Sequence, residues 1–289
     1  MKIKLCGLVA LVMMIAFCSS CQKEVDDSFF TQNPEDTVLL KSVIYLDTTK
    51  PSGSDTVYKT EFVYDNSKRV ISNFAVEFYS PTSSTSFSYN FIYTGNNKIP
   101  LTVTITQSGI TGSMTVFPTY NGSSFVIKDS NVWSFSPTDV TIEKYSTTPS
   151  GGFVYVLKQK DLTTGTIIDR DSTLYRRTIS AGNIISGTDS TYHPTLGFSL
   201  VNYAYAYDAK VNPFGSISSI YPYLGAYFFT GDSYILPIGK NNATSFLEAE
   251  TGGTSVSGTI SYTYRSDDYP LTGKITGYAD ANKIIFSYY

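Results

Sequence analysis

The feature that most constrains this chain is a two-residue alternation of apolar and polar side chains, repeated in run after run from about Val38 onward. It is plain in Thr56-Val57-Tyr58-Lys59-Thr60-Glu61-Phe62-Val63-Tyr64 and in Ser86-Phe87-Ser88-Tyr89-Asn90-Phe91-Ile92-Tyr93. Successive side chains of a strand point to opposite faces, so each run specifies a strand with one buried and one wet face. Between the runs lie Pro51-Ser52-Gly53, Asp65-Asn66-Ser67-Lys68, Gly95-Asn96-Asn97, Asn121-Gly122, Thr163-Thr164-Gly165 and Gly252-Gly253. Gly and Asn tolerate the positive φ of tight reversals. Short reversals join antiparallel neighbours, whereas parallel strands need crossovers of about a dozen residues or more. The expectation is an all-β antiparallel meander over residues 38–289, read as a single domain. A sheet that long must curl, close or split, so it is expected to form a large curled sheet or open barrel.

Aromatic content agrees with this. Of the residues, 15% are aromatic, carried by 24 Tyr and 18 Phe with a single Trp, and tyrosine suits a pleated surface where its ring packs and its hydroxyl reaches water. One stretch breaks the alternation. After Asn212-Pro213, residues Phe214 to Phe229 place Ile217, Ile220, Tyr221 and Leu224 at helix-like spacing. This allows one short helix near 214–228, limited by Pro222, which removes a hydrogen bond and clashes with the preceding turn. The stretch from Ser146 to Gly152 reads as a long hairpin loop or a joint, with the same alternation on both sides.

The chain begins differently. Lys2 and Lys4 precede an apolar run from Leu5 to Phe17, followed by Cys18-Ser19-Ser20-Cys21. These are the three zones of a signal peptide, and the run is shorter than the roughly 20 apolar residues a membrane-spanning helix needs. A cysteine after two small residues here resembles the lipobox of bacterial lipoproteins, with Cys18 where that motif usually has Leu. The resemblance implies removal of residues 1–20 and lipid attachment at Cys21. Gln22-Lys23-Glu24-Val25-Asp26-Asp27 resembles the surface-export signal of Bacteroidota lipoproteins, and residues 21–37 read as the lipidated cysteine and a flexible acidic tether. The implied location is the outer membrane, lipid-anchored and facing the cell exterior.

Several chemistries are excluded or find no support. Cys6 and Cys18 fall in the removed segment and Cys21 is acylated, which leaves the body without a thiol for disulfides or catalysis. Without Lys2 and Lys4 there are 19 basic residues against 24 acidic ones, a net charge of −5. With its cations scattered, the chain is not expected to bind nucleic acid. No Gly-rich phosphate loop is present, and no cofactor is expected. His193, the only histidine, sits in Thr191-Tyr192-His193-Pro194 with no Gly-x-Ser-x-Gly elbow in the chain, so it reads as a turn residue. One histidine and no free cysteine argue against zinc. Asp26-Asp27, Asp169-Arg170-Asp171 and Asp267-Asp268 match no calcium loop, and Asp169 and Asp171 are expected to share one wet strand face. No metal is expected.

Two places could meet a ligand. Tyr203, Tyr205 and Tyr207 fall on one face of a strand with Ala204 and Ala206 opposite, and Trp133 lies in Val132-Trp133-Ser134-Phe135. Both suit sheet packing, the favoured reading, and both could stack on a sugar ring.

A Tyr-centred phrase recurs at strand ends: Tyr64-Asp65-Asn66-Ser67-Lys68-Arg69-Val70, Tyr93-Thr94-Gly95-Asn96-Asn97-Lys98-Ile99-Pro100 and Tyr262-Thr263-Tyr264-Arg265-Ser266-Asp267-Asp268-Tyr269-Pro270. It resembles the hairpin phrase of YD-repeat proteins. With Tyr207-Asp208-Ala209-Lys210-Val211-Asn212-Pro213-Phe214 and Gly239-Lys240-Asn241-Asn242, the chain resembles Bacteroidota surface lipoproteins of unknown function, DUF4595-like, over residues 56–107 and 203–289. The resemblance implies an exported β-rich lipoprotein and supplies no reaction. The expected function is a non-enzymatic binding or structural module, anchored to the membrane by lipid, with a glycan or surface protein as partner. The alternative is a carbohydrate-active or other hydrolytic lipoprotein, which needs two facing carboxylates.

Overall fold

The computed structural model of the chain describes residues 38–289 apart from 81, 98–99, 111–112, 121–123, 130–138, 148–152, 194–196, 218–238, 254 and 279–280. Among the described residues there are sixteen strands: β1 (Leu40–Leu46), β2 (Thr56–Tyr64), β3 (Val70–Ser80), β4 (Ser83–Ile92), β5 (Thr102–Gln107), β6 (Met114–Tyr120), β7 (Ser124–Asp129) and β8 (Asp139–Thr147). They continue as β9 (Phe153–Asp161), β10 (Ile167–Ser180), β11 (Asn183–His193), β12 (Gly197–Val211), β13 (Asn241–Glu250), β14 (Ser255–Tyr264), β15 (Pro270–Thr276) and β16 (Lys283–Tyr288). Each strand pairs antiparallel with the next in sequence, as the alternation and short turns predict. The sheet curls until β1 meets β16, with Leu40 opposite Tyr288, Val43 opposite Phe286 and Tyr45 opposite Ile284.

Antiparallel register fixes which side chains share a face. Phe286, Val43, Thr60, Ala75 and Phe87 follow one another across β16, β1, β2, β3 and β4. In the next such row stand Phe62, Asn73, Tyr89 and Ile105. This is the inward face, where Leu40, Val43, Phe62, Tyr89, Ile105 and Ile284 are no more than 2% exposed. The opposite face is mostly polar, as in the row Glu61, Phe74, Ser88 and Thr106. Burial of the apolar face is the main stabilising contribution, about 1.5–3 kcal/mol for each large side chain taken out of water.

The arc from β13 through β16 and β1 to β5 closes over a single hydrophobic cluster, and the cluster also takes in a 3-10 turn, Pro213–Ile217. Asn212 starts this turn, its Oδ1 accepting the Phe214 N–H at 3.0 Å. The turn buries Phe214 and Ile217, and the Phe214 ring lies 6.4 Å from that of Phe286. Of the helix expected near 214–228, the described part is this 3-10 turn; residues 218–228 lie outside the described residues. A bulge at Asp169/Asp171 breaks the alternation in β10, with Asp169 paired to Lys158 and Asp171 to Leu157. The register therefore shifts between the two aspartates.

Candidate functional site

Cys21, Gln22, Lys23, Glu24, Asp26, Asp27 and Trp133 lie outside the described residues. Tyr203, Tyr205 and Tyr207 share one face of β12, and that face turns inward. Tyr203 is buried, Tyr205 lies opposite Phe246 of β13, and the Tyr205 and Tyr207 rings are 6.4 Å apart. The Tyr207 hydroxyl donates to the Ile184 carbonyl at 2.6 Å. His193 ends β11 opposite Gly197. Asp267 and Asp268 occupy the turn after β14, where each answers a cation: Arg265 at 3.0 Å and Lys210 at 2.6 Å. Among the described residues no group of three His, Cys, Asp or Glu side chains could hold a metal ion.

The recurrent tyrosine phrase has a specific geometry. Tyr64, Tyr93, Tyr262 and Tyr288 donate their hydroxyls to the carbonyls of Leu40, Val70, Ala243 and Pro270 at 2.7–2.9 Å. Tyr207 does the same to Ile184. In each case a tyrosine on, or just beyond, the second strand of a hairpin reaches the opening residues of the first. In the first phrase Asp65 accepts the Ser67 and Arg69 N–H groups and the Arg69 side chain at 2.8–2.9 Å. Burial pushes the Asp65 carboxyl up, but the Arg69 N–H, the guanidinium and the Ser67 N–H outweigh it and hold the carboxyl below its usual range. Arg69 also donates to the Gly95 and Asn97 carbonyls at 2.7 and 3.0 Å and lies 4.6 Å over the Tyr93 ring. It thus ties the β2–β3 turn to the β4–β5 turn.

A second polar constellation ties β11, β12, β13 and β14 together at one end of the sheet. Asp208 accepts the Lys210 and Asn242 N–H groups at 2.9 and 3.2 Å and, on its other oxygen, the Tyr264 hydroxyl. Asn241 donates to the Lys210 carbonyl and exchanges two 2.9 Å bonds with Asn183, and Asn212 donates to the Asn241 carbonyl at 3.2 Å. Burial, then the Asp208 carboxylate, raises the Tyr264 phenol above its ordinary range. Buried asparagines satisfied in this way fix the 3-10 turn in place. In the sequence Asp208, Asn212, Asn241 and Asn242 stand in two separate phrases, and the fold brings them together.

Three carboxylates stand on the inward face of β11–β13. Glu248 lies opposite Tyr203, while Asp189 and Glu250 both lie opposite Val201. Burial, then Asp189 and Glu250, raises the Glu248 carboxyl.

On the outward face a groove of about 490 Å³ crosses β14, β15 and β16. Its floor carries Ser261, Thr263 and Thr272, and the Thr263 and Thr272 hydroxyls meet at 2.8 Å. Lys274 and Lys283 stand directly opposite each other on β15 and β16, and Ser261 is opposite Lys274 on β14. One wall is Asn282, whose Oδ1 accepts the Thr48 N–H at 3.0 Å and so pins the β1–β2 turn beside the groove. Beneath it Gly273 is closely packed, since a Cβ there would lie 3.2 Å from the Tyr262 ring and 3.3 Å from Ile260 and would push those side chains by a few tenths of an ångström.

No family model matches the chain, and no curated protein does. Among solved structures, a porin-like protein from Bacteroides vulgatus ATCC 8482 is 11% identical, with a TM-score of 0.49 over 87% of this chain and 99% of that one. A porin-like protein from Bacteroides uniformis ATCC 8492 is 8% identical, with a TM-score of 0.35 over 86% and 95%. Neither likeness bears on what this chain does.

Proposed function

We propose that the chain is an exported, lipid-anchored β-module that stands in water and works by binding or scaffolding. The observation that carries this reading is the sidedness of the sheet. A barrel embedded in a bilayer shows an apolar band about 25 Å tall on its outer surface and a polar interior. Here the aromatic and aliphatic rows face inward, around Phe62, Tyr89 and Ile284. Outward positions carry Thr259 and Thr276, Ser261 and Lys274, Thr263 and Thr272 in consecutive cross-strand pairs. On that face Phe74 stands between Glu61 and Ser88, while the exposed Tyr192 and Phe198 form one local aromatic pair across β11 and β12. Contact with the membrane then falls to the lipid on Cys21, with the charged run 22–27 as the address to the cell exterior. The hydrolytic alternative would have to draw on Asp189, Glu248 and Glu250, which sit side by side on one sheet face rather than across a cleft as a glycosidase pair requires.

Exchanging residues 1–21 for an ordinary secretory signal tests the reading. The expected product is a body that stays in solution without detergent, while the natural chain fractionates with membranes and takes up a labelled fatty acid. A lipid-free body that still sediments with membranes would overturn it.

A further inference from the structure

We propose that the outward groove over β14–β16 binds an oxyanion group, whether sulfate, phosphate or carboxylate, held between Lys274 and Lys283. The proposal rests on the outer face being in water, because the groove opens on that face.

Two like charges at directly opposite positions of neighbouring antiparallel strands have Cβ atoms about 4.5–5.5 Å apart and repel. Five of the described cations answer carboxylates, Lys50 with Asp47, Lys59 with Glu61, Arg69 with Asp65, Lys210 with Asp268 and Arg265 with Asp267, all within 3.3 Å, and Lys41 lies over the Tyr289 ring. Lys274 and Lys283 depart from this pattern. They face each other, and neither has a carboxylate partner among the described residues. An oxyanion between them turns the repulsion into two charge-assisted hydrogen bonds, which are about twice as strong as neutral ones. Ser261, in register with Lys274, adds a hydroxyl donor to the same row, and the Thr263 and Thr272 hydroxyls lie one row further along. Lys283 is half-buried beside Asn282 in the lining of the groove. The mature chain carries a net charge of −5, which disfavours diffuse attraction of anions and makes retention of one a report on a local site.

The test uses the mature lipidated chain in a non-ionic detergent, applied at neutral pH and low salt to a sulfated-dextran column. Wild type is expected to be retained and released by salt. The double variant Lys274→Gln/Lys283→Gln is expected to flow through, and to melt no lower than wild type because the repulsion is gone. Lys283→Arg, which keeps the charge, and Lys59→Gln, which removes a lysine already paired with Glu61 on the same face, should both be retained. Displacing wild type with inorganic sulfate, inorganic phosphate or a sugar carboxylate at matched ionic strength identifies the oxyanion. The proposal fails if wild type flows through, if the double variant is retained or melts lower, or if Lys59→Gln loses retention to the same extent. The sedimentation of the lipid-free body tests the water-facing reading separately, because it does not depend on either lysine.

Discussion

Asp65 shows how much a single turn residue can organise. Its carboxylate gathers two backbone N–H groups and a guanidinium, and that guanidinium spans to the Gly95 and Asn97 carbonyls of the following turn. Asp65→Ala should therefore cost about 1.5–3 kcal/mol, the range for hydrogen bonds to a charged group, measured as a lower urea midpoint with an unchanged slope. The sign with pH is fixed by the lowered carboxyl. Its contribution is complete above the pKa of an unfolded aspartate and fades as pH falls through the lower folded value. Wild type should accordingly lose stability in mild acid faster than Asp65→Ala does. The turn itself was legible in the sequence, because Asp, Asn and Ser before a residue of positive φ, here Lys68 at 60°, make a local pattern. The reach of Arg69 to a second turn was not, since it joins residues 26 and 28 positions apart.

Among the elements, the 3-10 turn at Pro213–Ile217 is the piece that alternation does not describe and the core needs. Ile217 is fully buried in the cluster. Ile217→Ala should cost about 2–5 kcal/mol, seen as a fall in melting temperature, whereas a change at the exposed Leu271 of β15 should stay within about 0.5 kcal/mol. Helix-like spacing marked the place in the sequence. The form it takes depends on Asn212, which caps the turn, and on Phe286, which is near it only once the sheet has curled. The tyrosine stripe on β12 carries the same lesson: period two placed Tyr203, Tyr205 and Tyr207 on one face, and the curl of the sheet chose the inner side for it. In β10 a bulge shifts the register between Asp169 and Asp171, which alternation alone does not announce. The facing lysines of the groove were invisible as a pair because β15 and β16 come into register only through pairing.

For the molecule as a whole, buried phenols set the upper pH limit of the fold. Burial raises Tyr89, Tyr93, Tyr262, Tyr264 and Tyr288 above the ordinary tyrosine value. For a group raised on folding, stability is complete below the unfolded pKa, about 10 for tyrosine, and is lost as pH rises toward the folded value. The melting temperature should hold up to about pH 9 and fall steeply beyond it, with tyrosinate absorbance growing in the same cooperative step. Independent tyrosinate titration near pH 10 with the sheet intact would contradict this.

The pairing of β1 with β16 also sets a timetable. β1 is made with one edge that pairs with β16, so until β16 has been made it presents an unpaired row of N–H and C=O groups. Such an edge is a template for a neighbouring chain, and the entropy of closing so long a loop makes the final pairing a late event. Losing the seven residues from Lys283 would leave every other hairpin intact and yet open two edges at once, on β1 and on β15. The last hairpin thus decides whether the chain ends as a closed ring or as material for its neighbours to extend.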